Sequence, residues 1–174
     1  MELPQISFED LWAVIKRMNP ETAMGADGFT AADLKAMPIG LLQRMATLFN
    51  LIEETGKWPE ALLTALVSMM PKDEGSGMQP SELRPISVMS VVYRVWAAAR
   101  LRPTLEWQET WATDSIAGFR PCMGCDDVTW QVAVQVEHAL LHGESLCGFS
   151  VDLSKAFDRV PWDIAFGIAS QLGL

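Results

Sequence analysis

Apolar positions along the first sixty residues recur at three- and four-residue spacing, the period of helices that bury one face. Phe8, Leu11, Trp12 and Ile15 form one such stripe behind Ser7, which with Asp10 reads as an N-cap, and Asn19-Pro20 stops the helix. Gly25-Ala26-Asp27-Gly28-Phe29-Thr30 is a turn-rich loop, with Thr30 placed to cap a short helix ending near Met37. A plain connector and a functional loop are equally good readings of it. The clearest helix is predicted over 38–55, where Leu41, Leu42, Met45, Leu48, Phe49 and Ile52 recur and Gly56 closes the run. Lys57-Trp58-Pro59 then leads into a short helical segment.

The pattern changes at 65–70, an apolar run that reads as a strand with Pro71-Lys72 at its end. A loop containing Gly75, Gly77 and Pro80 returns the chain to Leu83-Arg84-Pro85-Ile86-Ser87, which predicts a two-stranded hairpin. A helix is expected over 87–102, buried through Val91, Val92, Val95, Trp96 and Ala99. Pro103 should end or kink it, leaving Trp107 and Trp111 in a second short helix. Residues 127–142 fit two periods: Val128, Trp130, Val132, Val134 and Val136 alternate, while Val128, Val132, Val136, Ala139 and Leu140 make a helical stripe. Length and the Leu140-Leu141-His142-Gly143 ending favour the helix.

Residues 147–153 read as a strand with Cys147, Phe149, Val151 and Leu153 on one face and Gly148, Ser150 and Asp152 on the other. That places a carboxylate beside small side chains at a strand end, a floor for a metal ion and a substrate. Ser154 starts a turn, Phe157 and Asp158 follow, and Pro161 can begin a helix running towards Gly173. Helices with a hairpin and one further strand predict an α+β fold.

Composition narrows the class. A chain of 174 residues with 49% hydrophobic and 20% charged side chains is about one globular domain. No apolar run approaches the ~20 residues of a membrane span, and no signal peptide opens the chain. The expectation is therefore an intracellular protein of nucleus or cytoplasm with no membrane. Three cysteines, an odd number, argue against a secreted disulfide framework. A net charge of -9 is opposite to that of most nucleic-acid binders. The charge is unevenly spread: 84–103 carries Arg84, Arg94, Arg100 and Arg102 with no acid.

Asp152-Leu153-Ser154-Lys155-Ala156-Phe157-Asp158 resembles the first catalytic motif of reverse transcriptases of the non-LTR retrotransposon and group II intron type. The Pro71-Lys72 and Arg84-Pro85-Ile86-Ser87 runs, the leucine-rich helix followed by Gly56-Lys57, and Gly118-Phe119-Arg120-Pro121 are similar to further motifs of that family. Gly25-Ala26-Asp27-Gly28 corresponds to a Gly-Pro-Asp-Gly motif, with alanine where proline is usual. The resemblance runs from about Gly25 to Leu174. It implies part of a right-hand polymerase: an N-terminal helical extension over 1–37, fingers and fingers–palm helices over 38–146, and the start of the palm, with Asp152 on its strand, over 147–174.

The same resemblance implies roles. Asp152, with the backbone carbonyl of Leu153, holds catalytic magnesium, an ion that takes hard oxygen ligands. Lys72, Arg84 and the amides around Lys155 and Ala156 hold the incoming deoxynucleoside triphosphate. Arginine suits this by forking onto phosphate oxygens and lysine by its compact charge. Phe157 packs under the sugar and excludes a 2'-hydroxyl. The partners are an RNA template and a DNA primer.

Local alternatives remain for two arginines: a surface pair with Glu82 for Arg84, and either a backbone phosphate or a packed salt bridge for Arg120. After Gly118-Phe119-Arg120-Pro121 the family usually continues Gly-Arg-Gly-Thr, whereas this chain has Cys122-Met123-Gly124-Cys125. No aromatic-x-Asp-Asp turn, the family's second metal motif, follows Asp152. The polypeptide alone is therefore expected not to polymerise. A non-catalytic RNA-binding or protein-interaction module is the second reading, distinguished by salt-dependent primer-template binding. A zinc module is the third: Cys122, Cys125, His138 and His142 have two-Cys two-His spacing, but Thr129 and Gln135 stand where a finger needs apolar core. Asp126-Asp127, which mimics a paired metal motif, is read instead as the acidic first turn of a helix.

Overall fold

Reciprocal caps set the first two helices. The computed structural model describes residues 3–72, 75, 77, 79–154 and 156–174, and the side chains of Phe157 and Asp158 lie outside the description. In α1 (Phe8–Ile15), Ser7 Oγ accepts from the Asp10 amide at 3.2 Å while Asp10 Oδ2 accepts from the Ser7 amide at 2.9 Å. Thr30 and Asp33 repeat the arrangement at α2 (Ala31–Ala36). Each such cap is worth about 1 kcal/mol. Helix α3 (Ile39–Thr55) ends on Gly56 at φ 67°, a left-handed conformation that a side chain would strain. A single turn, α4 (Glu60–Leu63), leads to the hairpin.

The chain forms two compact units, Leu3–Arg102 and Pro103–Leu174. In the first, Leu11 and Ile15 of α1, Leu34 of α2, Leu42, Ala46, Phe49 and Ile52 of α3, and Val91 and Val95 of α5 (Val91–Trp111) make one core. Leu41 and Leu48, expected inside, are exposed. The buried seam of α3 runs 42–46–49 and is narrower than its apolar stripe, so a small Ala46 occupies the interior. The amino-terminal segment is strapped on by side chains. Asn50 pairs with both backbone groups of Ile6, at 2.8 and 3.0 Å, and Arg100 donates to the Pro4 carbonyl at 2.8 Å.

Arg100 also makes a two-pronged pair with Glu53, whose carboxylate accepts from Trp96 Nε1 at 2.8 Å. Burial pushes the Glu53 carboxyl up, but the hydrogen bonds from Arg100 and Trp96 and the Arg100 charge outweigh it, so the group lies below its ordinary value of 4.5. An aromatic group of Trp58, Tyr93 and Trp96, with ring centroids 4.8 to 5.5 Å apart, packs beside this pair.

Strands β1 (Leu66–Pro71) and β2 (Leu83–Val88) pair antiparallel from Leu66↔Val88 to Pro71↔Leu83, joined through a 3-10 turn at Pro80–Glu82. Both strands expose most of their length. The helix expected from Ser87 begins at Val91, because Ser87 and Val88 are held in the ladder with β1. Pro103 neither ends it nor leaves a separate short helix. Helix α5 runs on to Trp111, losing one backbone donor at Pro103, and Trp107 packs edge-on against Trp111 one turn later at 5.3 Å.

In the second unit α6 (Cys125–His142) is helical as its length suggested, and Asp127 Oδ2 accepts from the Gly124 amide at 2.7 Å in the capping position. Helices α7 (Ala156–Arg159) and α8 (Trp162–Gln171) follow. Among the described residues of α6 only Ala139 is buried; Trp130 and Leu141 are 71% and 83% exposed. The strand expected over 147–153 is not formed: 144–153 has no regular structure and Phe149 is 94% exposed. A strand needs a neighbouring backbone to complete its hydrogen bonds. The one sheet among the described residues is the β1–β2 pair, so nothing supplies that ladder. No described helix is long and apolar enough to cross a membrane.

Ahead of α6, the Met123 amide reaches the Arg120 carbonyl at 3.4 Å, closing a turn with Pro121 second and Cys122 third. Cys122 has φ 59°, at the place where such turns favour glycine.

Two outcomes are expected. Arg100→Met should cost the first unit about 1–2 kcal/mol by removing the charge partner of the partly exposed Glu53, which keeps the Trp96 hydrogen bond. Because the folded Glu53 titrates below its unfolded value, its stabilisation is present above about pH 4.5 and lost as pH falls through the depressed value. Glu53→Gln should therefore flatten the acid limb of a denaturation series, and an unchanged limb would refute the assignment. Cys122→Gly should relieve left-handed strain of about 1–2 kcal/mol, partly offset by glycine's entropy. It should slow hydrogen exchange at the first α6 amides, and faster exchange there would contradict the strain.

Candidate functional site

The hairpin brings two of the sequence-predicted site residues together. Arg84 lies opposite Met70 in the ladder, and the Lys72 amide donates to the Glu82 carbonyl at 3.0 Å, carrying the register one step past β1. Lys72 and Arg84 are thus diagonal neighbours, roughly 7–8 Å apart along the backbone. Lys72 Nζ rests on the Ser81 carbonyl at 2.6 Å. Arg84 is exposed and, among the described residues, has no ion-pair partner. The Glu82 carboxylate does not pair with it but turns back to the Gln79 amide at 3.3 Å. The hairpin end therefore offers a guanidinium and an ammonium to an anion.

Asp152, Leu153 and Ala156 belong to the second unit. Asp152 and Leu153 are exposed in the irregular segment before the Ser154 turn, and Ala156 opens α7, half-buried. Lys155 lies outside the described residues, as does the side chain of Phe157. Asp152 and the Leu153 carbonyl are hard oxygen donors, the right chemistry for magnesium. Their number falls short: no group of three or more His, Cys, Asp or Glu side chains converges among the described residues.

Arg120 takes the packed alternative in this structure. Its guanidinium forks onto Glu109 at 2.9 and 2.7 Å and donates to the Thr113 and Ile116 carbonyls at 2.9 and 3.1 Å. The hydrogen bond from Arg120 holds the Glu109 carboxyl below its ordinary value, and the carboxylate in turn raises Arg120. This clamp fixes the loop between α5 and α6. The zinc arrangement fails on distance. Cys125 and His138 are on one continuous helix, and 1.5 Å per residue puts them about 20 Å apart. His138 and His142 instead stack on each other, with ring centroids 4.1 Å apart.

A further cluster lies at the root of the hairpin. Ser90 is fully buried; its Oγ accepts from the Val92 amide at 3.1 Å and donates to Asp27 Oδ2 at 2.6 Å. A serine between a strand and an apolar helical run is an N-cap signal that locates Ser90. Its partner 63 residues away has no such signal.

The sequence profile described as reverse transcriptase (RNA-dependent DNA polymerase) matches residues 70–173. The chain is 30% identical over 164 residues to a retrovirus-related Pol polyprotein from a type-2 retrotransposable element of Drosophila melanogaster, covering 88% of this chain and 15% of that protein. From the same organism, a probable RNA-directed DNA polymerase from transposon BS is 26% identical and the RNA-directed DNA polymerase from mobile element jockey 24%, each over 92% of this chain and 18% of its own length. The chain thus spans less than a fifth of the length of these relatives. It belongs to the reverse transcriptase (RNA-dependent DNA polymerase) family, in the branch carried by non-LTR retrotransposons.

Proposed function

We propose that this chain is the fingers and the first part of the palm of an RNA-directed DNA polymerase of a non-LTR retroelement. On this reading residues 1–37 are a helical extension, 38–146 the fingers and fingers–palm helices, and 147–174 the start of the palm. The observation that carries it is Arg84, exposed and without an ion-pair partner among the described residues, beside Lys72 at the end of a projecting hairpin. Anion capture by a fork and a point charge suits a triphosphate.

The working enzyme joins a deoxynucleoside triphosphate to a DNA primer on an RNA template. Arg84 and Lys72 orient the triphosphate oxygens, assisted by the amides around Lys155 and Ala156. Phe157 lies under the sugar and bars a 2'-hydroxyl. Asp152 and the Leu153 carbonyl would contribute oxygen ligands to magnesium, with further carboxylates needed beyond these two donors because no cluster of three converges among the described residues. Bound magnesium supplies a lowered pKa for the attacking hydroxyl and charge neutralisation on the phosphate. Arg120 on this reading supports the loop before α6.

With one carboxylate and one carbonyl in place, the chain alone should not extend a primer; extension by it, abolished in Asp152→Ala, would overturn the reading. In a polymerase carrying the chain, Asp152→Ala should reduce turnover at least as much as the roughly 100- to 1,000-fold that loss of one transition-state-stabilising group costs. Phe157→Ala in that polymerase should admit ribonucleotides into the product, and unchanged sugar selectivity would remove Phe157 from its role.

A further inference from the structure

We propose that the loop Gly25-Ala26-Asp27-Gly28 is a latch that fixes the root of the β1–β2 hairpin, and that Asp27 is a positioning residue for Arg84. The inference rests on the triphosphate reading of the hairpin.

Several contacts converge on the first turn of α5. Ser90 Oγ uses its lone pairs on the Val92 and Tyr93 amides, at 3.1 and 3.5 Å, which are unpaired donors of the helix start. Its one proton goes to Asp27 Oδ2 at 2.6 Å, a charge-assisted bond. The Asp27 charge thereby reaches the positive end of α5 through the hydroxyl. Gly25 lies directly on Ser90: a Cβ there would sit 2.6 Å from the Ser90 Cα and 2.7 Å from its nitrogen, so no other residue fits unmoved. One helical turn on, Arg94 donates to the Ala23 carbonyl. Gly28 closes the loop on the Gly25 carbonyl at 3.1 Å, with φ 74°.

This matters because of what precedes Ser90. Only Met89 separates it from Val88, the last residue of β2. The hairpin has little of its own to hold it, since every residue of β1 is exposed. It behaves as a lever whose fulcrum is the latched serine. Arg84 stands four residues out from Val88, about 13 Å along the strand. A tilt of about 10° at the root therefore moves the guanidinium about 2 Å, enough to take its hydrogen bonds to phosphate oxygens out of range and so to weaken triphosphate binding. Asp27, bonded to Ser90 and not to Arg84, acts through this geometry.

The test has two arms. In this chain, hydrogen exchange should quicken about tenfold at the β2 amides of Arg84, Ile86 and Val88 in Asp27→Asn, while α3 core amides keep their rates. Exchange rising equally in α3 and the hairpin, or in neither, overturns the latch. Gly25→Ala should act in the same direction, and Asp27→Asn decides the matter if that variant does not fold. In a polymerase carrying the chain, Asp27→Asn and Ser90→Ala should raise the deoxynucleotide KM about five- to tenfold with kcat within about twofold, and Ser90→Thr should retain the parent value. Arg84→Ala is the control. If it leaves KM unchanged, the triphosphate reading fails while the exchange data still judge the latch. If it raises KM and Asp27→Asn does not, Asp27 has no positioning role.

Discussion

The pairing of Arg100 with Glu53 joins the two long helices on which the first unit depends. Through it α5 is fastened to α3, and the same guanidinium holds the Pro4 carbonyl. The pair sits above a core in which Phe49, Leu42 and Val95 are almost wholly removed from water. Each such side chain contributes about 1.5–3 kcal/mol of burial. With α5 held at both its start and its middle, the strand that feeds it has a defined origin. Structure here is therefore built from the helices outward to the hairpin.

The second unit is organised differently. Its definite local features are terminal and loop contacts: Asp127 at the start of α6, the Arg120–Glu109 clamp, and Trp107 donating to the Leu172 carbonyl at 2.8 Å. Apolar side chains cover a wide face of α6 and line α8, with Trp162 and Phe166 stacked yet exposed. An apolar face this wide is characteristic of a helix that packs against another element. A cap at α6 and loop contacts define this unit locally, while the hydrocarbon of both helices remains in water.

Local chemistry was the legible part of the sequence. The Ser7 and Thr30 caps, the Gly56 terminator, the hairpin and the helical character of 125–142 all follow from residues close together in the chain. Arg84 and Lys72 fall side by side for the same reason, since a hairpin loop sets its own register. What the sequence did not show depends on distance or on partners. Ser90 and Asp27 meet across 63 residues, and Glu109 is one of several acids that could have met Arg120. Leu41 and Leu48 looked like core because a stripe reports apolarity, not the width of the seam that packs. The 147–153 segment has the alternation of a strand, but alternation alone does not provide the adjacent backbone that a strand requires.

The uncovered side chains of α6 give the acidity of the chain a different meaning. Hydrocarbon displayed on this scale favours self-association. Nine surplus negative charges oppose it by mutual repulsion, and that repulsion is confined to about 8 Å at physiological ionic strength. Added salt would therefore remove the barrier between copies while leaving the attraction intact, making this polypeptide stickier in brine than in dilute buffer.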